Sequence, residues 1–459
     1  MGLFLGLDLG TSYFKAGLFD EKGRLKGLGR QPVPKYTGDG TICELSVSVF
    51  WKTLRDCVEE AMQSAYTTPG DILALSYSSQ ANSFILLDNR DQHITPLILW
   101  PDKRAEKTNL PHWISQNKEE FINKTGFGID PNYELSVSKI YWFQKERPEI
   151  WERVNRLLSI SDYLTYELTG GSFSDTSTAS LTGLLDVTAG QWWDKSLRSF
   201  NLSSDYLSLP LRTGIFAGVL TRSGAKLIGL KSGIPYFMGG LDHHCAAIGC
   251  GVPLTNSISE STGTVLACVS YSRAFSPQPY RFIAPGLSSG DFFQMAFNDN
   301  GAYSLEWYQK TFASEYSIAE LLEMAKHINK GSEELVALPC AYKSQGLTGF
   351  RNITPAHNHG HFVRALLEST AASLACLIRS VRDPHFSGEV ISTGGGAKSD
   401  LWIKIKADIL KTVFLIPECN ETACLGAAMI GAKGTGEFGD WNELTEKWIR
   451  FKEIVKPEE

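Results

Sequence analysis

The 459-residue chain has no block of basic residues and no acidic tail: 44 Lys and Arg stand against 50 Asp and Glu, a formal charge of −6 dispersed along the sequence. Such a balance supplies no dedicated field for nucleic acid or lipid headgroups, so small neutral substrates are favoured and neither nucleic acid nor membrane is an expected partner. No 18-residue stretch is free of charge, and the apolar opening from Gly2 to Leu7 stops at Asp8 without the positive region that begins an export signal. A cytoplasmic protein is the expectation. Cysteine is sparse and odd in number, and none of the nine forms a C-x-x-C pair with metal-site spacing. Cys245/Cys250 and Cys419/Cys424, each five apart beside Ala and Gly, suit close helix packing better than metal binding. Low-complexity segments and Ser/Gly linkers are also missing. What is present is length and 43% hydrophobic residues, enough for two or three domains with real cores.

The first twenty residues predict a β-hairpin. Leu3–Leu9 is apolar up to its aspartate, Gly10-Thr11-Ser12 can turn, and Tyr13–Phe19 is extended again, which leaves hydroxyls at the tip. A third strand over 24–28, a helix starting near Ser46 to Ser48, and an apolar strand over 72–77 ending at Ser78-Ser79-Gln80 make an α/β layered domain. Helical spacing in Lys139-Ile140-Tyr141-Trp142-Phe143 and over 160–168 predicts a helical insert across 109–170, closed by Gly170-Gly171. Strands return over 214–219 and 235–240, and 242–251 predicts a helix of small residues.

A second cycle echoes the first. Residues 257–261 are extended, Thr262-Gly263-Thr264 turns, and 265–269 is extended. A long amphipathic helix over 362–381, a strand over 389–392, Gly394-Gly395-Gly396, a helix over 399–411, a strand over 413–415 and a small-residue helix over 423–431 follow. Two halves of like design predict a duplicated domain with a cleft between the copies.

Several motifs carry chemistry. Gly6-Leu7-Asp8-Leu9-Gly10-Thr11-Ser12 sets a carboxylate at a strand end, then backbone N–H groups and hydroxyls at a tight turn, which suits phosphate oxygens and their Mg²⁺; an ordinary glycine hairpin has the same local pattern. Thr262-Gly263-Thr264 is a second such turn, and the pairing favours a polyphosphate gripped from both sides. Gly394-Gly395-Gly396-Ala397-Lys398-Ser399-Asp400 lies between strand and helix, as a nucleotide wall or a plain tight loop; it has neither P-loop nor dinucleotide-binding spacing. Asp242, directly after Gly239-Gly240-Leu241, is an N-cap or, beside a sugar hydroxyl, a general base. Trp100, Asp102 and Arg104 offer an aromatic face, a carboxylate and a guanidinium to a polyol, and Gln80-Ala81-Asn82 offers amides. His357, His359 and His361 read as a solvated loop rather than a metal site.

In order, these motifs, with Lys139-Ile140-Tyr141-Trp142, Asp162-Tyr163-Leu164, Leu168-Thr169-Gly170 and Glu421 followed by Leu425-Gly426-Ala427-Ala428, resemble the FGGY carbohydrate kinases over nearly the whole chain. The resemblance implies a pair of actin/hexokinase-like, ribonuclease-H-type α/β domains around a catalytic cleft. The expected division is 1–246 for sugar binding, the catalytic acid and the first phosphate loop, and 247–459 for nucleotide binding. It implies ATP and Mg²⁺ as cofactors and a small sugar as the other substrate. By position, Asp242 resembles the catalytic base and Asp8 the Mg²⁺-associated carboxylate. Thr11, Ser12 and Lys15 resemble the first phosphate site, and Thr262, Gly263 and Thr264 the second. Gly395, Gly396 and Asp400 would lie near the adenine, although many relatives carry Asn where Asp400 stands. Gln80, Asn82, Trp100, Asp102, Arg104, Asp242 and His243 would face the sugar.

The departures bear on the substrate. Glycerol kinases carry an Arg-Glu pair just after the glutamine that corresponds to Gln80; Ala81-Asn82 stand here, which disfavours glycerol. Xylulokinases tend to have Met-His at these two positions and Asn after the catalytic aspartate, where this chain has Ala81-Asn82 and His243. The W-x-D-x-R cluster is similar to theirs, so a pentulose such as xylulose or ribulose leads, with erythrulose, glycerol or another polyol as alternatives. A catalytically silent sugar-responsive regulator on the same fold, and an actin- or chaperone-like ATPase, are the readings from other classes. The sugar, the phosphorylated carbon and the oligomeric state stay open, a homodimer being one candidate.

Overall fold

Every side chain of Leu3–Leu9 is buried, the mark of a central strand covered on both faces. In the computed structural model, which describes residues 2–383, 386 and 388–458, this strand lies inside a seven-stranded sheet. Tyr13–Phe19 pairs with it antiparallel, Asp8 opposite Lys15, and Ile72–Ser79 pairs with it parallel, Asp8 opposite Ser78. Leu25–Pro32 extends one side; Pro235–Phe237 and Phe216–Val219 extend the other, and Gly240–Leu241 also joins Ile72–Ser79, Gly240 opposite Ser78. The predicted hairpin and strands are therefore present.

Helices cover both faces of this sheet. Val47–Ser64 starts where Ser46 accepts the Val49 N–H, and it packs on Leu25–Pro32. A Cβ on Gly29 would stand 1.8 Å from the Cys57 carbonyl oxygen, so only glycine admits the helix at that distance. Thr422–Gly434 covers the other face, and a Cβ on Gly6 would stand 1.9 Å from the Cys424 carbonyl. Asp242–Ile248 crosses that helix where Gly426 meets the Cys245 carbonyl and Gly249 the Thr422 carbonyl. Cys245, Cys250 and Cys424 are buried there, whereas Cys340 and Cys419 are half-buried and Cys376 is exposed.

The span 109–170 is helical in Trp113–Gln116, Lys118–Thr125, Ser136–Glu146, Pro148–Trp151 and Ile160–Thr169. It is interrupted by the strand Arg156–Ser159, which pairs antiparallel with Phe84–Leu87. Four residues are too few for a period to show in the sequence. All of these elements belong to one compact unit, which holds the chain to Leu254 together with Ser272–Gln294 and Glu421–Ile449.

The second unit holds Thr255–Tyr271, Met295–Asn420 and the chain from Arg450. Ile258–Thr262 and Leu266–Ser272 form the second hairpin, and Ile258–Thr262 runs parallel to Glu389–Thr393, which pairs in turn with Val413–Pro417. Phe451–Val455 closes the row antiparallel. Helix Asp400–Leu410, capped by the Ser399 hydroxyl, packs on His359–Val381. The latter helix begins before the expected residue 362, so His359 and His361 are helical rather than in a solvated loop. Asn358 caps it, accepting the Gly360 N–H, and donates its own N–H to His361 Nδ1. By length and composition this helix could pass for a membrane span, but 67% of its apolar window is buried, as in a core helix.

Candidate functional site

Three strands bring two acids together. Asp8 ends Leu3–Leu9, Asp242 follows Gly240–Leu241, and both strands pair with Ile72–Ser79 at Ser78. Asp8 is buried and accepts a 2.8 Å hydrogen bond from Ser78 Oγ. Lys15 Nζ lies 3.9 Å from Asp8 Oδ2 and 2.6 Å from Glu421 Oε2. Burial pushes the Asp8 carboxyl up to about 6; Lys15 opposes this, and the charges of Asp242 and Glu421 add to it. Burial works against the Lys15 ammonium, but Asp8 and Glu421 more than offset it, and its pKa is raised. Two carboxylates thus share one lysine, and the charge of a third, Asp242, is felt at Asp8. That surplus fits a divalent cation held by one or two carboxylates, with water and phosphate oxygens completing the shell, as Mg²⁺ prefers. Among the described residues no cluster of three or more ligating side chains forms an all-protein metal site.

Asp242 is half-buried at the first position of Asp242–Ile248, and its Oδ1 accepts the His243 N–H at 2.7 Å. His243 is half-buried beside it. His244 is buried: its Nδ1 is 2.7 Å from Ser177 Oγ, its ring stacks on Phe293 at 4.5 Å, and Nε2 has no hydrogen-bond partner among the described residues. Burial, with a smaller push from His243, lowers its pKa to about 3, so this imidazole stays neutral.

The residues named for the sugar divide into two groups. Trp100 is half-buried, with Nε1 donating to Thr11 Oγ1 at 2.8 Å and its backbone N–H donating to Ser83 Oγ. Gln80 is buried; Nε2 donates to the Leu9 and Gly10 carbonyls and Oε1 accepts from Ser83 Oγ. Asn82 Nδ2 donates to the Leu181 carbonyl, while Oδ1 accepts from the Ser136 N–H and hydroxyl. Asp102 and Arg104 form a bidentate pair that Glu44 extends, and Asp102 Oδ2 accepts the Cys43 N–H. Gln80, Asp102 and Arg104 therefore brace the loops that carry Trp100 and Thr11, whereas Asn82 ties its own turn to Leu181 and Ser136. Lys139 adds to this, donating to the Trp100 and Glu134 carbonyls from a fully buried position. Ser12, at the hairpin tip, is exposed, and Lys35 Nζ holds the Thr11 carbonyl at 3.1 Å.

In the second unit the Thr262 turn lies against the glycine loop. Ala302 N–H donates to the Gly263 carbonyl, and the Gly263 N–H closes the turn on the Val265 carbonyl. A Cβ on Gly396 would stand 2.7 Å from Thr262 Cβ, and Gly394 has φ +78°. Gly395 is exposed, and Asp400 is exposed in the first turn of Asp400–Leu410. Sequence reasoning gives no role to Ser78, Lys35 or Glu421; Glu421 meets Lys15 across 406 residues, a separation that no local pattern records.

Residues 3–249 match the N-terminal domain, and 288–435 the C-terminal domain, of the FGGY family of carbohydrate kinases. The chain belongs to this family. Kinases of the family use ATP, and this kinase has their actin/hexokinase-like fold. It is 28% identical to a xylulose kinase of Staphylococcus epidermidis over 464 residues, covering 99% of this chain and 92% of that one. Solved structures of a ligand-bound xylulose kinase and of a gluconate kinase, both from Lactobacillus acidophilus, superpose with TM-scores of 0.89 and 0.88. Each is 20% identical and covers 100% of this chain and 94% of its own, a likeness of fold.

Proposed function

We propose that this kinase transfers the γ-phosphoryl group of ATP to a primary hydroxyl of a small ketose, a pentulose such as xylulose or ribulose. Asp242 accepts the hydroxyl proton as the oxygen attacks the γ-phosphorus. The new O–P bond forms, the bond to the β–γ bridging oxygen breaks, and ADP leaves. Thr11, Ser12 and Lys15 meet the phosphates from the first hairpin, and Thr262, Gly263 and Thr264 form the second phosphate turn. Gly395 and Gly396 flank the base, with Asp400 at the adjoining helix start. Asp8 holds Mg²⁺, which when bound neutralises charge on the phosphate oxygens. Trp100, Asp242 and His243 contact the sugar, while Gln80, Asn82, Asp102 and Arg104 shape the wall behind them. In this reading 1–246 serves the sugar and 247–459 the nucleotide.

The observation that carries the reading is the common neighbour Ile72–Ser79: Asp8 pairs opposite Ser78, and Gly240–Leu241, paired opposite Ser78 and Ser79, leads directly into Asp242, so that a buried acid and a half-buried acid lie at the same end of the sheet. The relation to a xylulose kinase, and Ala81-Asn82 in place of a charged pair, support a pentulose over glycerol. The test is ADP release with Mg²⁺ and ATP against D-xylulose, D-ribulose, L-ribulose, L-xylulose, erythrulose, gluconate and glycerol. A pentulose should give the largest kcat/KM, and Asp242→Asn should lower kcat by about 10²–10⁴ with ATP binding nearly unchanged. An unchanged kcat in that variant would refute the role of Asp242, and stimulation by gluconate or glycerol alone would refute the ketose.

A further inference from the structure

Glu260 and Thr262, two apart on Ile258–Thr262, present their side chains to the same face of the sheet, beneath helix Asp400–Leu410. Lys406 descends from that helix between them. Its Nζ donates to Glu260 Oε1 at 2.7 Å and to Thr262 Oγ1 at 2.7 Å, while Thr262 Oγ1 donates to Glu260 Oε2 at 2.8 Å. Ser392, opposite Glu260 on the neighbouring parallel strand, donates its hydroxyl to Oε1 as well. The Lys406 and Glu260 side chains are both 0% exposed.

This closed triangle settles what the Thr262 hydroxyl can do. Its one proton goes to Glu260 and one of its lone pairs to Lys406, so it has no hydrogen to offer a phosphate oxygen. Its carbon side is equally occupied, because the Cβ and methyl of Thr262 fill the space left by the missing side chain of Gly396. Thr262 thus couples the turn 262–264 to the glycine loop 394–396. An ion pair without solvent is a costly way to hold a threonine, and single removal of either partner leaves the other charge uncompensated.

We infer that Glu260 and Lys406 are positioning residues for the nucleotide: they lock Thr262 as a fixed spacer, so that the Gly263–Thr264 backbone and the Gly394–Gly396 loop keep the separation that ATP requires. The inference rests on the proposed nucleotide role of these two loops. Burial presses the Lys406 ammonium towards its neutral form and Glu260 opposes that, in keeping with a pair sustained only by mutual contact.

Two variants of the full chain test it. Lys406→Met removes the cation and both of its hydrogen bonds. Glu260→Gln keeps the volume but replaces Oε2 or Oε1 with a donor, which disturbs the fixed direction of the Thr262 hydroxyl even if the Met variant fails to fold. Kd for a non-hydrolysable ATP analogue, KM for ATP, KM for the sugar and thermal midpoint are measured well below unfolding. Positioning predicts a rise of about tenfold in Kd and KM for the nucleotide in Lys406→Met, and about threefold in Glu260→Gln, with sugar KM within about twofold. A purely structural pair would lower the thermal midpoint and leave nucleotide Kd of the folded protein unchanged, and that result would overturn the inference. Gly395→Val separates the two levels. If it weakens analogue binding while both pair variants bind normally, the positioning role fails alone; if it too binds normally, the nucleotide reading of the loop fails.

Discussion

Lys139→Met probes the most unusual ionisable group beside the candidate sugar loop. The Lys139 side chain is fully buried, with its amine on the Trp100 and Glu134 carbonyls at 3.0 and 2.6 Å. Burial lowers its pKa from 10.5 to about 7; Asp102, Glu134 and Cys43 oppose the shift and Arg104 assists it. At about 1.36 kcal/mol per pH unit, this corresponds to about 5 kcal/mol of preference for the neutral amine in the folded state. The unfolded chain keeps this proton up to pH 10.5, the folded chain only to about 7. Between those values the unfolded state binds more protons, so stability rises with pH; below about 7 both states are charged and the contribution is flat. From about pH 7 to 9 the gain is about 3 kcal/mol. Methionine fills much of the same volume and does not titrate. Thermal midpoints of both proteins from about pH 6 to 9 should therefore diverge, with the parent chain gaining several degrees on the variant as pH rises. Parallel curves across that range would refute a buried, titrating amine at this position.

Two other substitutions report on the helix crossing and on the hairpin tip. Gly426→Ala would put a Cβ 1.8 Å from the Cys245 carbonyl at the crossing of two helices, where backbone must move on both sides. The expected loss is about 3 kcal/mol or more, read as a fall in thermal midpoint, and a midpoint within a degree or two of the parent would show that the crossing is looser. Trp100→Phe keeps an aromatic face and removes the bond to Thr11, a loss of about 1 kcal/mol in holding the hairpin tip. KM for ATP should rise about fivefold with little change in midpoint, and an unchanged KM would show that this bond does not hold the turn.

The two hairpins were legible because Gly10 and Gly263 each stand, with hydroxyl residues beside them, between two extended runs, and a turn at such a break leaves few alternatives. The start of Val47–Ser64 falls in the expected window near Ser46 to Ser48, and the structure adds the cap, Ser46 Oγ accepting the Val49 N–H. The strand Arg156–Ser159 was not, since its pairing with Phe84–Leu87 is a tertiary fact that its own four residues do not encode. Among candidate site residues, the positions of Asp8 and Asp242 at strand ends could be read from flanking apolar and glycine residues. Which way an amide faces could not: Gln80 and Asn82 look like sugar ligands in sequence, yet their amides bond to neighbouring chain, at Leu9 and Gly10 for one and at Leu181 and Ser136 for the other. Lys406 lies in a run that alternates lysine with isoleucine and looks solvated, and its burial depends on Glu260, 146 residues away.

The helix Thr422–Gly434, which covers the sheet of the unit built mainly from the first 254 residues, sets an order of events during synthesis. When Leu254 leaves the ribosome, the face around Gly6 and Gly17 that will meet Cys424 still has no cover. Roughly 170 further residues must be translated before the helix is available, on the order of 10–30 s at usual elongation rates. Through that interval the nascent sheet presents an unsatisfied apolar surface, so this first unit matures only after nearly the whole polypeptide has been made. A fragment ending near residue 250 would stop at that stage, as a substrate for chaperones rather than a free-standing domain.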